Sequence, residues 1–152
     1  MFDWSSPRPG PLVVAHRGSS DSAPENTLSA FSLALREGAD AVELDARLTS
    51  DGKVVVIHDR TLARTTGGRG RVSDATAASI RRFSAGAWFA DEFVSQRVPL
   101  LEEAIDLAGA SAGVNVELKF DSRRENPGPL VRRVCDIVRS FRRPGAILVS
   151  SF

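Results

Sequence analysis

Residues 38–59 constrain the fold more than any other stretch, because polar residues interrupt two runs that are otherwise typical of buried strands. In the first run Glu43 and Asp45 alternate with valine and leucine, so a period of two puts both carboxylates on one face of a strand. The second run, residues 54–57, is apolar throughout and stops at His58. Two like charges on one face repel each other unless a cation lies nearby. The pattern therefore indicates either a solvated strand face or a charged site.

The turn between the two runs is predicted at Asp51-Gly52. In a tight two-residue hairpin, Asp45 would lie opposite His58. If the strands were parallel instead, both polar groups would still lie near the C-terminal ends of their strands. Either geometry predicts carboxylates and an imidazole in one place.

Strands and helices alternate along the chain, which favours a mostly parallel α/β sheet with right-handed crossovers. We predict strands over residues 12–15, 41–47, 54–57, 114–120 and 146–150, and helices over about residues 24–37, 100–108 and 127–141. Five strands with no return to the first predict roughly the first half of a TIM-type (β/α)8 barrel, whose functional groups lie beyond the C-terminal ends of the strands. Residues 1–11 are expected to be an irregular lead-in, and residues 12–152 a partial barrel domain without its C-terminal strands.

Length and composition are those of one soluble globular domain, with 152 residues, 42% of them apolar and 26% charged. A net charge of +1 gives no argument for binding nucleic acid or an anionic membrane. The N-terminal residues show no signal-peptide pattern, and no apolar run approaches the roughly 20 residues that span a bilayer. We therefore expect a cytoplasmic protein. Cys135 is the single cysteine, so no intramolecular disulfide is possible.

The chain has two histidines, His16 and His58, and each follows an apolar run that predicts a strand. One such histidine is more often structural than catalytic, but two of them near carboxylates can act as general base and general acid. Arg17 and Lys119 add positive charge that suits a phosphate, although Lys119 can equally form an ion pair with a carboxylate on its own strand. Three residues offer hard oxygen ligands for Mg²⁺ or Ca²⁺: Glu43, Asp45 and Glu117. Together these groups predict phosphoryl chemistry assisted by a divalent cation.

The order of these motifs resembles that of the glycerophosphodiester phosphodiesterase family. The resemblance runs from about residue 13 to residue 152 and rests on a series of segments: His16-Arg17-Gly18, Pro24-Glu25-Asn26-Thr27, Gly38-Ala39-Asp40-x-x-Glu43-x-Asp45, Thr49-x-Asp51-Gly52, His58-Asp59, Arg64-Thr65-Thr66, Val98-Pro99-x-Leu101-Glu102-Glu103 and Asn115-x-Glu117-x-Lys119. The ordered series is far more specific than any one of its motifs.

The resemblance implies a TIM-type barrel with a divalent metal, Mg²⁺ or Ca²⁺, at its mouth. It implies that the metal ligands are Glu43, Asp45 and Glu117. It further implies that His16 and His58 are the acid–base pair, and that Arg17 and Lys119 contact the phosphate of a small-molecule glycerophosphodiester. In that family a hydroxyl of the substrate's own glycerol is thought to attack phosphorus. Water then opens the cyclic phosphate to give glycerol 3-phosphate, and an alcohol is the other product.

Three further residues of the matching motifs are expected to have structural roles. Glu25 and Asn26 are predicted at the start of a helix. Asp59 is predicted to point away from the site, because successive side chains of an extended strand point to opposite faces.

Two alternatives stand beside hydrolysis of glycerophosphodiesters. One is a phospholipid-cleaving relative that stops at the cyclic phosphate. The other is a non-catalytic fragment that binds metal or phosphate, because the later strands of the family's barrel are not among these 152 residues. The presence of every acidic and basic residue of the motif series favours the hydrolase.

Overall fold

The chain forms an open, mostly parallel sheet with helices on one face. The computed structural model describes residues 2–7, 9–120 and 126–151. Its strands are β1 (Val14–His16), β2 (Ala41–Leu48), β3 (Val54–Val56), β4 (Gly113–Leu118) and β5 (Ile147–Ser150). Strands β1, β2, β4 and β5 lie side by side in that order and are parallel, whereas β3 pairs antiparallel with the C-terminal part of β2. The described residues therefore contain five strands, of which four form the parallel sheet and β3 forms a hairpin with β2.

Helices cover the face of the sheet on which the apolar side chains of the strands lie. The α-helices of the described residues are α1 (Leu28–Arg36), α2 (Ala63–Thr66), α3 (Ala77–Ile80), α4 (Leu101–Ala108) and α5 (Gly128–Ser140). Helices α1, α4 and α5 bury a core against β2 and β4 that includes Phe31, Val42, Leu44, Ile105, Val114, Val116 and Val134. Because side chains alternate along a strand, the residues between these valines and leucines face the other side of the sheet. That other side carries Glu43, Asp45 and Glu117.

The β2–β3 hairpin is antiparallel, but its register differs by one residue from that of the tight two-residue turn. Ala46 pairs with Val56, and the amide of Ile57 donates to the carbonyl of Asp45 at 2.9 Å, so Asp45 lies opposite Ile57 and not His58. The longer turn forms because the Thr49 hydroxyl accepts a hydrogen bond from the amide of Lys53 at 3.0 Å. The hydroxyl also donates to Asp51 Oδ1 at 2.6 Å. Sequence patterning could not supply this side-chain contact within the turn.

Helix α1 begins at Leu28, four residues after the predicted start at Pro24. Thr27 is its N-cap, and the Thr27 hydroxyl accepts a hydrogen bond from the amide of Ala30 at 3.2 Å. Asn26 has a left-handed backbone conformation with φ 58°, which no residue of a right-handed helix adopts. The prediction that Glu25 and Asn26 start the helix is therefore wrong, and both side chains are free to face the sheet.

The N-terminal lead-in has no helix or strand within residues 2–7 and 9–11, and it packs on the N-terminal end of the sheet. Phe2 is buried, and a β-carbon added at Gly113 would lie 2.4 Å from its ring. The Trp4 indole nitrogen donates to the carbonyl of Ala146 at 2.9 Å. In the part of the chain that the structure describes, no helix is long and apolar enough to cross a membrane.

Candidate active site

Three carboxylates meet at the C-terminal end of the parallel sheet. Asp45 on β2 and Glu117 on β4 are register partners, and Glu43 lies two residues before Asp45 on the same face. One oxygen atom from each of the three lies within 4.8 Å of the others. Glu43 is 7% exposed and Asp45 is 0% exposed. Buried like charges at this spacing are unfavourable unless positive charge or hydrogen-bond donors surround them.

Three such partners of Asp45 lie among the described residues. The Asn26 side chain clamps it, because Nδ2 donates to Asp45 Oδ2 at 2.7 Å and Oδ1 accepts from the Asp45 amide at 3.2 Å. Arg17 Nε lies 3.1 Å from the same carboxylate oxygen. Lys119 Nζ lies 3.2 Å from Asp45 Oδ1 and also contacts Glu117, so its ammonium bridges two members of the carboxylate cluster.

Of the three carboxylates, Glu43 has the weakest contacts with positive charge. Its Oε2 accepts a hydrogen bond from the amide of Arg17 at 3.1 Å, and His16 Nε2 lies 3.8 Å away. Its Oε1 is buried and has no hydrogen-bond partner among the described residues. Burial, together with the neighbouring charge of Asp45, raises the pKa of Glu43 to about 7. A buried carboxylate oxygen without a donor, next to two other carboxylates, fits a hard divalent cation.

The end of β1 presents His16 to solvent and Arg17 to the carboxylates. The side chain of His16 is 67% exposed, whereas that of Arg17 is largely buried. Arg17 has a φ of 58°, and its amide donates to the carbonyl of Glu43 at 3.0 Å, which turns the chain sharply after the strand. Gly18 follows with a φ of 82°, and a β-carbon there would lie 2.6 Å from the backbone of Ala30. Only glycine fits this close approach between the turn and helix α1.

His58 lies two residues beyond the end of β3. Its Nδ1 is 2.8 Å from Asp59 Oδ1, and its carbonyl accepts a hydrogen bond from Arg47 Nε at 2.8 Å. The prediction that Asp59 points away is therefore wrong. Alternation of side chains holds only while the chain is extended, and residues 58–60 form a bend. The hydrogen bonds to Arg64 and His58 hold the pKa of the Asp59 carboxyl well below its usual range.

The structure brings all seven predicted site residues to the same end of the sheet: His16, Arg17, Glu43, Asp45, His58, Glu117 and Lys119. It adds four residues that sequence reasoning placed elsewhere or did not use: Glu25, Asn26, Asp59 and Arg64. Each of the four lies in a motif of the ordered series, which was the available signal. Arg64 donates to both Asp59 and Glu25, and Glu25 in turn accepts from Arg17 at 3.1 Å. His58 is thereby joined to the carboxylate cluster through a continuous chain of contacts.

Comparison with known proteins identifies the family. The sequence profile of the Glycerophosphoryl diester phosphodiesterase family matches residues 16–152. The chain belongs to this family. The match begins at His16 and includes every site residue named above.

Named relatives in this family are similar over nearly all of the chain. A glycerophosphodiester phosphodiesterase of Caldanaerobacter subterraneus is 41% identical over 142 residues, which are 93% of this chain and 58% of the relative. One from Bacillus subtilis is 36% identical over 154 residues, covering 93% of this chain and 52% of the relative. The chain therefore spans a little over half the length of these relatives.

Solved structures of the family share the fold. A phosphodiesterase of Oleispira antarctica in complex with the product sn-glycerol-3-phosphate is 35% identical, with a TM-score of 0.85 over 93% of this chain and 57% of the other. A glycerophosphodiester phosphodiesterase of Agrobacterium tumefaciens is 39% identical, with a TM-score of 0.79 over 94% of this chain and 58% of the other. The fold is thus the TIM-type barrel of the family, and the chain forms an open part of it, as its motif series predicts.

Proposed function

We propose that this chain carries the catalytic residues of an enzyme that hydrolyses glycerophosphodiesters to glycerol 3-phosphate and an alcohol with the help of a divalent cation. The observation that carries the proposal is the buried cluster of Glu43, Asp45 and Glu117, with both histidines at the same end of the sheet. Membership of the family and the product named in the Oleispira antarctica structure support the choice of substrate.

The three carboxylates would hold the cation. They offer hard oxygen ligands, which suit Mg²⁺ or Ca²⁺ better than softer metals. When bound, such an ion neutralises charge on the phosphate and stabilises the charge that develops in the transition state. Arg17 and Lys119 border the cluster and supply fixed positive charge for the remaining phosphate oxygens.

The two histidines would move the protons. One imidazole takes the proton from the attacking glycerol hydroxyl, and the other gives a proton to the oxygen of the departing alcohol. This displacement breaks one P–O bond, forms another and leaves a cyclic phosphate. Water then attacks phosphorus, the roles of the two histidines reverse, and glycerol 3-phosphate is formed. Asp59 contacts His58 and would orient its ring during both steps.

A coupled assay for glycerol 3-phosphate tests the proposal. Glycerophosphocholine is incubated with this chain and with Mg²⁺ or Ca²⁺, and the Caldanaerobacter subterraneus relative serves as a positive control. We expect release of glycerol 3-phosphate that EDTA abolishes and that His58→Gln lowers by about 10²–10⁴-fold, the usual size of an acid–base contribution. Arg81→Met, which removes an ion pair with Glu103 on the helical side, is expected to retain activity.

Other results would point to the alternatives. Phosphorus NMR that shows a cyclic phosphate accumulating would replace the hydrolase by an enzyme that stops at the first step. Cation binding in titration calorimetry, without turnover of a substrate with any headgroup, would support the second alternative, a non-catalytic fragment that binds metal. A fragment without activity would be consistent with the open sheet. Val14 on β1 and Leu148 on β5, at its two edges, expose about two-fifths of their surface.

A further inference from the structure

Among the ion pairs that the structure describes near the site, those of Arg64 are the most extensive, although none of the proposed roles uses this residue. It follows the hairpin on the short helix α2 and binds two carboxylates at once. Its Nε and Nη2 donate to the two oxygens of Asp59 at 2.8 and 2.9 Å. Its Nη1 and Nη2 donate to the two oxygens of Glu25 at 2.7 and 2.8 Å. Both contacts are bidentate, the geometry in which an arginine fixes a carboxylate most rigidly.

Arg64 connects two segments of the chain that carry different site residues. Asp59 follows β3 and touches His58, whereas Glu25 precedes α1 and touches Arg17. Arg64 is therefore the link between the histidine on the hairpin and the arginine at the end of β1. We call Arg64, Asp59 and Glu25 the Arg64 bridge.

The bridge also places a carboxylate oxygen of Asp59 at 2.8 Å from Nδ1 of the His58 ring. The contact with Arg64 keeps the pKa of Asp59 low, so this carboxylate is ionised and can only accept hydrogen bonds. The ring nitrogen that contacts it, Nδ1, must then donate. In the neutral ring, Nε2 is left with its lone pair available for a proton.

We infer that Arg64 is a positioning residue that orients the Asp59 carboxylate and thereby holds His58 in the tautomer with its proton on Nδ1. The last torsion of an aspartate side chain is broad, so one hydrogen bond to an imidazole does not fix the carboxylate plane. The two-pronged contact with the guanidinium does fix it. The consequence for catalysis rests on the proposed function, but the tautomer does not.

The same chain offers a matched control. Arg81 forms a bidentate pair with Glu103 at 2.6 and 2.8 Å, and its side chain is 32% exposed against 44% for Arg64. None of the described contacts of Arg81 reaches a site residue. Variants of Arg64 and of Arg81 therefore both lose a partly exposed ion pair. Only variants of Arg64 also lose the Arg64 bridge.

Nitrogen NMR of histidine side chains tests the inference directly, since the chain has only two histidines. The chain is labelled with ¹⁵N-histidine, and the His16→Gln variant assigns the remaining signals to His58. We expect the parent chain to show a protonated Nδ1 and an unprotonated Nε2 for neutral His58. In Arg64→Met the two nitrogens should shift toward the average values of an exchanging tautomer mixture, and in Arg81→Met they should stay as in the parent.

If Arg64→Met perturbs folding, chemical rescue of Arg64→Ala by free guanidinium tests the same inference. Arg64→Ala leaves a gap between two carboxylates, and guanidinium at concentrations far below those that unfold proteins should restore the parent pattern of His58 nitrogen shifts. Methylammonium, which cannot bridge two carboxylates with a planar fork, should not restore it. The inference is overturned if His58 keeps its Nδ1 proton in Arg64→Met, or if methylammonium rescues Arg64→Ala as well as guanidinium does.

Turnover gives a second readout. In the coupled assay we expect Arg64→Met to lower kcat by about 10- to 100-fold, part of the acid–base contribution, with little change in KM. Guanidinium should restore kcat in Arg64→Ala. An equal loss in Arg81→Met would show a general stability effect and overturn the assignment. If the parent chain has no turnover, the proposed function fails, while the NMR result still decides the role of Arg64.

Discussion

Replacing Asn26 by alanine removes two hydrogen bonds to the buried Asp45, and its cost follows from these two contacts and from the left-handed backbone of residue 26. The amide of Asn26 donates to Asp45 Oδ2 at 2.7 Å, and a hydrogen bond to a charged group is worth about 1.5–3 kcal/mol. Its carbonyl oxygen accepts from the Asp45 amide, which would lose that side-chain partner at a cost of about 1–3 kcal/mol. Alanine at φ 58° costs about 1–2 kcal/mol where asparagine is tolerated. We expect a total loss of about 3–5 kcal/mol, since contributions that share one group do not add in full.

Urea unfolding followed by circular dichroism measures this loss. Asn126→Ala is the matched control, because it deletes the same amide where Oδ1 accepts from the amide of Gly128 at an exposed position. That change is expected to cost about 0.5–1 kcal/mol. Asn26→Gly separates the backbone from the clamp and should recover about 1–2 kcal/mol relative to Asn26→Ala. The reasoning is refuted if Asn26→Ala and Asn126→Ala reduce the free energy of unfolding equally.

Three further outcomes follow from the same contacts. Gly18→Ala should lower the free energy of unfolding by about 2 kcal/mol or more in thermal melts, because its new methyl group would lie 2.6 Å from backbone, whereas Gly52→Ala in open space should cost about 1 kcal/mol. Cation affinity should rise with pH and level off above about 7, because a cation must displace the proton of Glu43; equal affinities in calorimetry at pH 6 and pH 8 would contradict this. The pKa of Asp59 is lowered in the folded chain, so its stabilising contribution is present above the unfolded value of 3.8 and is lost as the pH falls below it. Acid unfolding should be less steep in Arg64→Met, and equal slopes would count against that contribution.

The strands and their charged face could be predicted because they depend on a local rule. Alternation of apolar and acidic residues in β2 determines which side faces the helices, whatever lies beside the strand. The same alternation on β4 places Glu117 beside Asp45 once the two strands are parallel neighbours. The end of a parallel sheet then gathers the groups that follow each strand, which is why the candidate site could be outlined without coordinates.

What could not be predicted depends on side chains that bond to backbone or to each other across long separations. The Thr49 hydroxyl lengthens the hairpin turn by one residue, and no periodicity signals this. Asn26 sits in a left-handed conformation because its side chain binds Asp45, 19 residues away. Arg64 binds Glu25 across 39 residues. Through these contacts, residues whose sequence pattern is typical of a helix start or a loop become part of the site.

Burial and the charges of the site together raise the pKa of Glu43, and the same charges favour the divalent cation proposed above. The described contacts that join these side chains involve five carboxylates and three permanent cations, a formal charge of −2 for this set before any histidine is protonated. The carboxylates are Glu25, Glu43, Asp45, Asp59 and Glu117, and the cations are Arg17, Arg64 and Lys119. Glu43 is the carboxylate whose charge is least balanced. Each of the other four contacts a permanent cation, whereas Glu43 accepts a hydrogen bond from the backbone amide of Arg17. In the absence of a cation, a proton on Glu43 removes half of this excess charge. A divalent ion in the carboxylate cluster would replace that proton and balance the charge of this set of side chains, so cation binding and deprotonation of Glu43 are expected to be a single linked event.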